Sequence, residues 1–158
     1  MNEMIEQKIK NIIESHEEIP TIFKKVLKKE LALLEQEAVL DVVNIKREYS
    51  DITKKTDIFT KAVLLIATSF GLVVVEEGVN DLHLEFGGYR VRHVMYSKIK
   101  CMDFNSCLLI GTLKVTTGSI NEPDLLLEFN TSKYYSEIEK IVEIIRGKMI
   151  ECERKLLS

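Results

Sequence analysis

From Ala38 to Asn130 the chain is a succession of short β-branched and aromatic runs with no helix-length pattern between them, and this succession limits the fold more than any other feature. The runs are Val39 to Lys46, Ala62 to Thr68, Leu72 to Glu77, Leu82 to Phe86, Tyr89 to Tyr96, Ile99 to Asn105, Leu108 to Thr117 and Leu125 to Asn130, so seven or eight strands follow one another. Three joints carry turn chemistry. Ser69-Phe-Gly71 and Gly78-Val-Asn-Asp81 offer positions for positive φ, and Gly87-Gly88 reads as a two-residue hairpin. Hairpins in series make an antiparallel meander. The absence of an intervening helical pattern argues against parallel βαβ units and the nucleotide folds built from them.

Ahead of the strands, Ile5, Ile9, Ile12, His16 and Ile19 recur at alternating spacings of four and three, the stripe of an amphipathic helix. Pro20 ends that helix or opens the next. Phe23, Val26, Leu27, Leu31 and Leu34 then predict a second helix from Thr21 to about Gln36. Residues 1–36 thus read as an N-terminal helical arm, a hairpin or a bent helix, and residues 37–158 as one domain that includes a C-terminal helix. This last helix begins at Thr131, Ser132 or Ser136, with Ser136 and Glu139 spaced as a capping box. Its stripe of Ile138, Val142, Ile145, Met149, Cys152 and Leu156 is a seam of the kind that packs against another helix. About 25 residues at ~1.5 Å each span roughly 37 Å, more than a small barrel needs to close one opening. The overhang makes the seam a candidate for self-association, and the N-terminal helices are its natural partner in the same or a neighbouring chain.

Three segments on these strands have a familiar look. Leu65-Ile-Ala-Thr-Ser-Phe-Gly-Leu-Val-Val-Val75 ends a strand in Thr and turns through Gly, Val94-Met-Tyr-Ser-Lys-Ile99 has the form aromatic-Ser-x-Ile, and Leu108-Leu-Ile-Gly-Thr-Leu-Lys-Val115 is a strand centred on Gly. With these segments and its order of elements, the chain over about residues 37 to 150 resembles the bacterial PH-like families of the YokE type, within the pleckstrin-homology superfold. The resemblance implies an α+β fold, a PH-like antiparallel seven-stranded open barrel capped by a long C-terminal helix. It also implies an interaction or assembly module without catalysis, because the shared residues are apolar anchors and turns. Phosphoinositide readers of the superfold carry bases on the first two strands and the loop between them. Here Lys46 and Arg47 end the first strand and Lys54 and Lys55 follow, but the second strand, Ala62-Val-Leu-Leu-Ile-Ala67, carries no base. Lys46, Arg47, Lys54 and Lys55 remain a candidate anion or ligand loop, with a solvated loop as the alternative.

Composition narrows the partners. At 158 residues, 46% apolar and 30% charged, the chain can bury a core without metals or disulfides as staples. A formal charge of −3 from 22 bases and 25 acids gives no general attraction to nucleic acid. Arg90 and Arg92 lack the interleaved aromatics of a single-strand binder. The odd count of cysteines, Cys101, Cys107 and Cys152, fits reduced thiols in a cytoplasm, and the N-terminus lacks the pattern of a secretory leader. Ala62 to Val75 is apolar but too short for a bilayer span.

No histidine has a second ligand at metal-site spacing, and no cofactor motif is present, so neither metal nor cofactor is expected. His83 alternates with Leu82 and Leu84 and should face solvent, whereas His93 shares a face with Val91 and should be half-buried. A small hydrolase using His93 and a cysteine is the least favoured reading, for want of an orienting group or an oxyanion loop. Lys24, Lys25, Lys28 and Lys29 beside Phe23, Val26 and Leu27 could lay a helix on an anionic membrane, or form the solvated face of a packed one. The expected partner is a protein or peptide, or a second copy, with an anionic lipid surface as the alternative.

Overall fold

The computed structural model describes residues 2–49, 58–78, 88–118 and 123–158. Among these the chain forms an α+β structure with a four-stranded sheet in the order β1-β4-β5-β6 and a three-stranded sheet in the order β7-β8-β9. A small β2-β3 ribbon and a C-terminal helix complete it. The chain divides into two compact units, residues 1–69 with 73–93, and residues 70–72 with 94–158. The expected strand at Leu82 to Phe86, His83 and the Gly87 half of the hairpin lie outside the described residues, as do Lys54 and Lys55.

The first unit begins with α1, Glu3–Glu14, whose N-cap Asn2 accepts a hydrogen bond from the Met4 N–H at 3.1 Å. Glu3 and Glu6 in its first turn complement the positive end of the helix dipole. The expected stripe runs on to Ile19, but the helix stops at Glu14. The Ser15 hydroxyl accepts the Glu17 N–H at 3.1 Å, a local turn that competes with the next helical bond and leaves His16 exposed beyond the helix.

Pro20 directly precedes α2, Thr21–Leu27, as a fixed φ favours. This helix was expected to continue to about Gln36; it ends nine residues sooner. Lys29 and Ala32 adopt positive φ, and that double reversal turns Leu33 inward while leaving Leu34 exposed. Glu37 holds the reversal in place: its buried carboxylate accepts the Leu34 N–H at 3.1 Å and the Thr68 hydroxyl at 2.5 Å.

Both helices belong to the core of this unit. Ile5 of α1 and Phe23, Val26 and Leu27 of α2 are buried with Val39, Val42, Leu64, Ile66, Val73 and Val75 of the sheet, and Ile9, Ile12 and Ile13 pack at the margin. The N-terminal helices therefore pack in cis on their own sheet. The strands that meet them are β1 (Val39–Ile45), β4 (Val63–Thr68) and β5 (Gly71–Glu77), and β1 runs antiparallel to β4 with Val42 opposite Ile66. Every residue of β4 is buried, so the alternation of a half-exposed strand is lost there. β2 (Glu48–Tyr49) and β3 (Ile58–Thr60) form the ribbon between β1 and β4. The β4-β5 turn falls at Ser69-Phe70, yet no described glycine has positive φ. Gly71 is required by proximity instead, since a Cβ there would lie 2.4 Å from the Val94 carbonyl oxygen of β6 (Tyr89–Met95).

The second unit holds a 3-10 helix at Tyr96–Lys98, then β7 (Cys101–Cys107), β8 (Ile110–Thr116), β9 (Leu125–Asn130) and α3 (Thr131–Leu157). Leu113, Val115, Leu125, Leu127 and Phe129 share one sheet face and are buried, as are Tyr134, Ile138, Ile141 and Ile145 of α3. Gly111 makes room for Phe129, whose ring atoms would come within 2.4 Å of a Cβ at that position. The N-cap of α3 is Asn130, one residue before the expected range, its side chain accepting the Ser132 N–H at 3.0 Å. Ser136 and Glu139 thus lie inside the helix and form no capping box. Along the seam, Ile138 and Ile145 are buried, Val142, Met149 and Cys152 half-buried, and Leu156 is 77% exposed. No helix among the described residues is long and apolar enough to cross a membrane.

Candidate functional site

The basic residues at the end of β1 are already engaged by acids. Lys46 forms an ion pair with Glu17. Arg47 donates from Nε to Glu77 Oε1 at 2.9 Å, pairs with Glu77 again through its Nη2, and donates from Nη1 to Glu18 at 2.7 Å and to the Tyr49 hydroxyl at 2.9 Å. The hydrogen bond to Glu77 raises the guanidinium pKa above its ordinary value despite partial burial. An anion approaching Lys46 and Arg47 must compete with three carboxylates of the same unit. Lys24 of α2 donates to the Ser15 carbonyl at 3.0 Å, and Lys29, beyond the end of that helix, to the Glu35 carbonyl at 2.8 Å. The apolar face that a membrane would need from α2 is buried in the core.

A shallow groove of about 400 Å³ lies in the same unit, floored by Ile9, Ile13, Leu27 and Val39 and rimmed by Glu6, Lys10, Glu14 and Lys28. Its rim mixes both charges without convergent donors.

His93 is exposed, not half-buried, because β6 turns it outward between the more buried Arg92 and Val94. Cys101 and Cys107 do not come together as a pair of thiols. They are the two ends of one continuous strand, roughly 20 Å apart at ~3.4 Å per residue, both exposed and free. The joint expected at Ser106-Cys107, between the runs Ile99 to Asn105 and Leu108 to Thr117, falls instead at Leu108-Leu109, where no residue type announces it. Among the described residues no three His, Cys, Asp or Glu side chains gather in a way that could hold a metal ion.

What the second unit presents is the outer edge of β7. Among the described residues this strand has a neighbour, β8, on one side only. The register is regular from Cys101 opposite Thr116 to Cys107 opposite Ile110, without a bulge. In a two-residue hairpin the closing pair exchanges both backbone bonds, and so does every second pair after it. Cys107, Asn105 and Asp103 therefore bond to β8, while the N–H and C=O groups of Met102, Phe104 and Ser106 point away from the sheet. Natural edges are guarded by Lys, Pro, bulges or coverings. β7 has no Lys, no Pro and a single charge, Asp103. Beside it stands an aromatic wall: the Phe104 ring lies 5.5 Å from Tyr135 of α3 and 6.1 Å from Phe129.

No protein-family model, curated protein or solved structure matches this chain. The chemistry of the β7 edge thus rests on its own geometry. It offers backbone donors and acceptors at alternate residues, with an apolar surface where the side chains of an added strand would fall. Nothing in the residue pattern marks this edge. Met-Asp-Phe-Asn-Ser between two cysteines reads as strand and turn alike, and only the pairing partner of β7 distinguishes an edge from an interior strand.

Proposed function

We propose that this chain is a non-catalytic PH-like interaction module that takes up an extended peptide segment as a further strand on the edge of β7. Four antiparallel strands, then three, then a closing helix is the element order of the pleckstrin-homology superfold, and this favours the finer reading of a seven-stranded open barrel capped by α3. The observation that carries the function is the edge of β7, which among the described residues has a neighbour on one side only: Met102, Phe104 and Ser106 present outward backbone groups along a regular strand. Strand addition draws affinity from main-chain hydrogen bonds and specificity from pockets for alternate side chains. Phe104 and Tyr135 would select an apolar residue at one of those positions. The exposed, unpaired thiols of Cys101 and Cys107 suit a reducing cytoplasm.

The test uses peptides selected on the full chain from a random library of extended sequences. Replacing Ser106 by Pro removes one outward N–H while sparing the β8 ladder, and affinity should fall about tenfold, the value of one such hydrogen bond. Amide exchange should slow at Met102, Phe104 and Ser106 when peptide is bound. Equal binding by the Ser106→Pro variant, or protection elsewhere, overturns the reading. Self-association is a second reading, favoured by the exposed last turns of α3, where Leu156 is 77% and Leu157 87% exposed. Light scattering on the wild type and a Leu156→Lys, Leu157→Lys variant tests it: a monomer in both removes it.

A further inference from the structure

The β7-β8 hairpin closes on Leu108 and Leu109, the two loop residues between the paired Cys107 and Ile110. Two-residue hairpin loops are normally built from Gly, Asn or Asp, because a loop residue must take positive φ. Here Leu108 takes φ 48°, and Leu108, Leu109 and Ile110 are 92%, 68% and 62% exposed. A turn that only reversed the chain would gain from glycine at the first position and from polar side chains at both. Leu108 accepts an unfavourable backbone conformation, and the tip exposes three successive apolar side chains to water.

The loop is also held firmly. Thr131 at the start of α3 donates its hydroxyl to the Leu108 carbonyl at 2.5 Å and its N–H to the Leu109 carbonyl at 3.1 Å. The side chains therefore project from an ordered support. Around them Asn105, Ser106, Cys107, Thr112, Asn130 and Thr131 form a polar collar, bordered by the exposed charges Glu128, opposite Thr112 on β9, and Lys133 in the first turn of α3. Along the hairpin the first charges are Asp103 and Lys114, which face one another in register.

We propose that this tip is a lipid anchor: Leu108, Leu109 and Ile110 enter the interfacial layer of a bilayer while the polar collar rests among the headgroups. Three side chains on a convex turn fall far short of the ~800 Å² per partner that a stable protein interface buries, so neither a second copy nor another protein would be held by them alone. A bilayer supplies an apolar phase without a complementary pocket. No charged residue lies within the loop itself, so Leu108, Leu109 and Ile110 can sink while the charges at the margin of the collar, Glu128 and Lys133, stay at headgroup level. This anchor goes beyond the peptide site, and because β7 leads directly into the tip it would present that edge to peptides at a membrane surface.

Vesicle flotation with phosphatidylcholine alone, at low and at high salt, tests the proposal on the full chain. The wild type should float at both salt concentrations. Replacing Leu108 by Gly and Leu109 by Ser should reduce partitioning about tenfold or more through lost apolar burial, with a melting temperature unchanged or raised because glycine suits positive φ. An environment-sensitive dye on Cys107, in a chain carrying Cys101→Ser and Cys152→Ser, should shift to the blue when vesicles are added. Four results overturn the anchor: a wild type that does not float, a variant that floats equally, a variant whose melting temperature falls with its binding, or flotation only with phosphatidylglycerol and lost in salt. None of these touches the peptide site, which the Ser106→Pro variant reads separately.

Discussion

Among the described residues β1 and β7 both lie at a sheet edge and pose the same problem, a row of backbone groups with a sheet on one side, and they meet it in opposite ways. β1 carries an irregularity between Val39 and Asp41, lies against α1, and anchors Asp41 through Lys8 at 2.9 Å and the Val42 N–H at 2.8 Å. Its basic end is tied to Glu17, Glu18 and Glu77. β7 is regular, nearly uncharged, and runs into an exposed leucine turn. A strand whose polar groups are satisfied from within its own unit is scaffold. One that keeps backbone donors and apolar side chains available, at a cost to solubility, is where a partner is expected.

The contrast is open to measurement, beginning with its largest expected effect. Phe23→Ala should lower stability by about 4 kcal/mol in urea unfolding, as for any large core side chain removed without collapse of the site. A loss under about 1 kcal/mol would mean that α2 is an appendage and not part of the core beside β1. Arg47→Ala should cost about 2 kcal/mol, because Glu77, mostly buried, loses its ion-pair partner. The pKa of Arg47 is raised, so its contribution is fully present below the ordinary arginine value and is lost only above the folded one. The penalty should accordingly stay constant across the neutral range. If Arg47→Ala left stability unchanged but abolished phosphate binding, the end of β1 would be a ligand loop after all. The smallest effect belongs to β7: Ser106→Pro should change stability by no more than about 0.5 kcal/mol, since an outward N–H on an edge strand bonds to nothing in the sheet. A cost near 3 kcal/mol would show that this N–H is used within the fold.

Much of the architecture was legible in the chain. The strand runs Val39 to Lys46, Ala62 to Thr68 and Leu125 to Asn130, and the stripe of the last helix, follow from β-branched density and the 3.6-residue period, and the structure places β1, β4, β9 and α3 on them. Boundaries set by side-chain hydrogen bonds were less visible. Asn130, not Ser136, caps α3, and Ser15 stops α1 before His16, because several polar residues near each end could compete for the same backbone N–H. The end of α2 was hidden for another reason: Lys28 to Gln36 has good helix propensity, and only the pull of Leu33 into the core and the two bonds of Glu37 outweigh it. The candidate site was the least legible part. Charge is conspicuous in a sequence, as at Lys46 and Arg47, but the acids that pair with it are not.

Local chemistry alone therefore determined that this protein would be a series of antiparallel strands followed by an amphipathic helix, since periodicity and turn residues act over a few positions. The tertiary structure decided which strand would lie at an edge, which lysines and arginine would be neutralised, and that Leu108 and Leu109 would turn outward. Those outcomes depend on residues distant in the chain, such as Thr131 against Leu108 and Glu77 against Arg47, and no local pattern encodes a long-range partner.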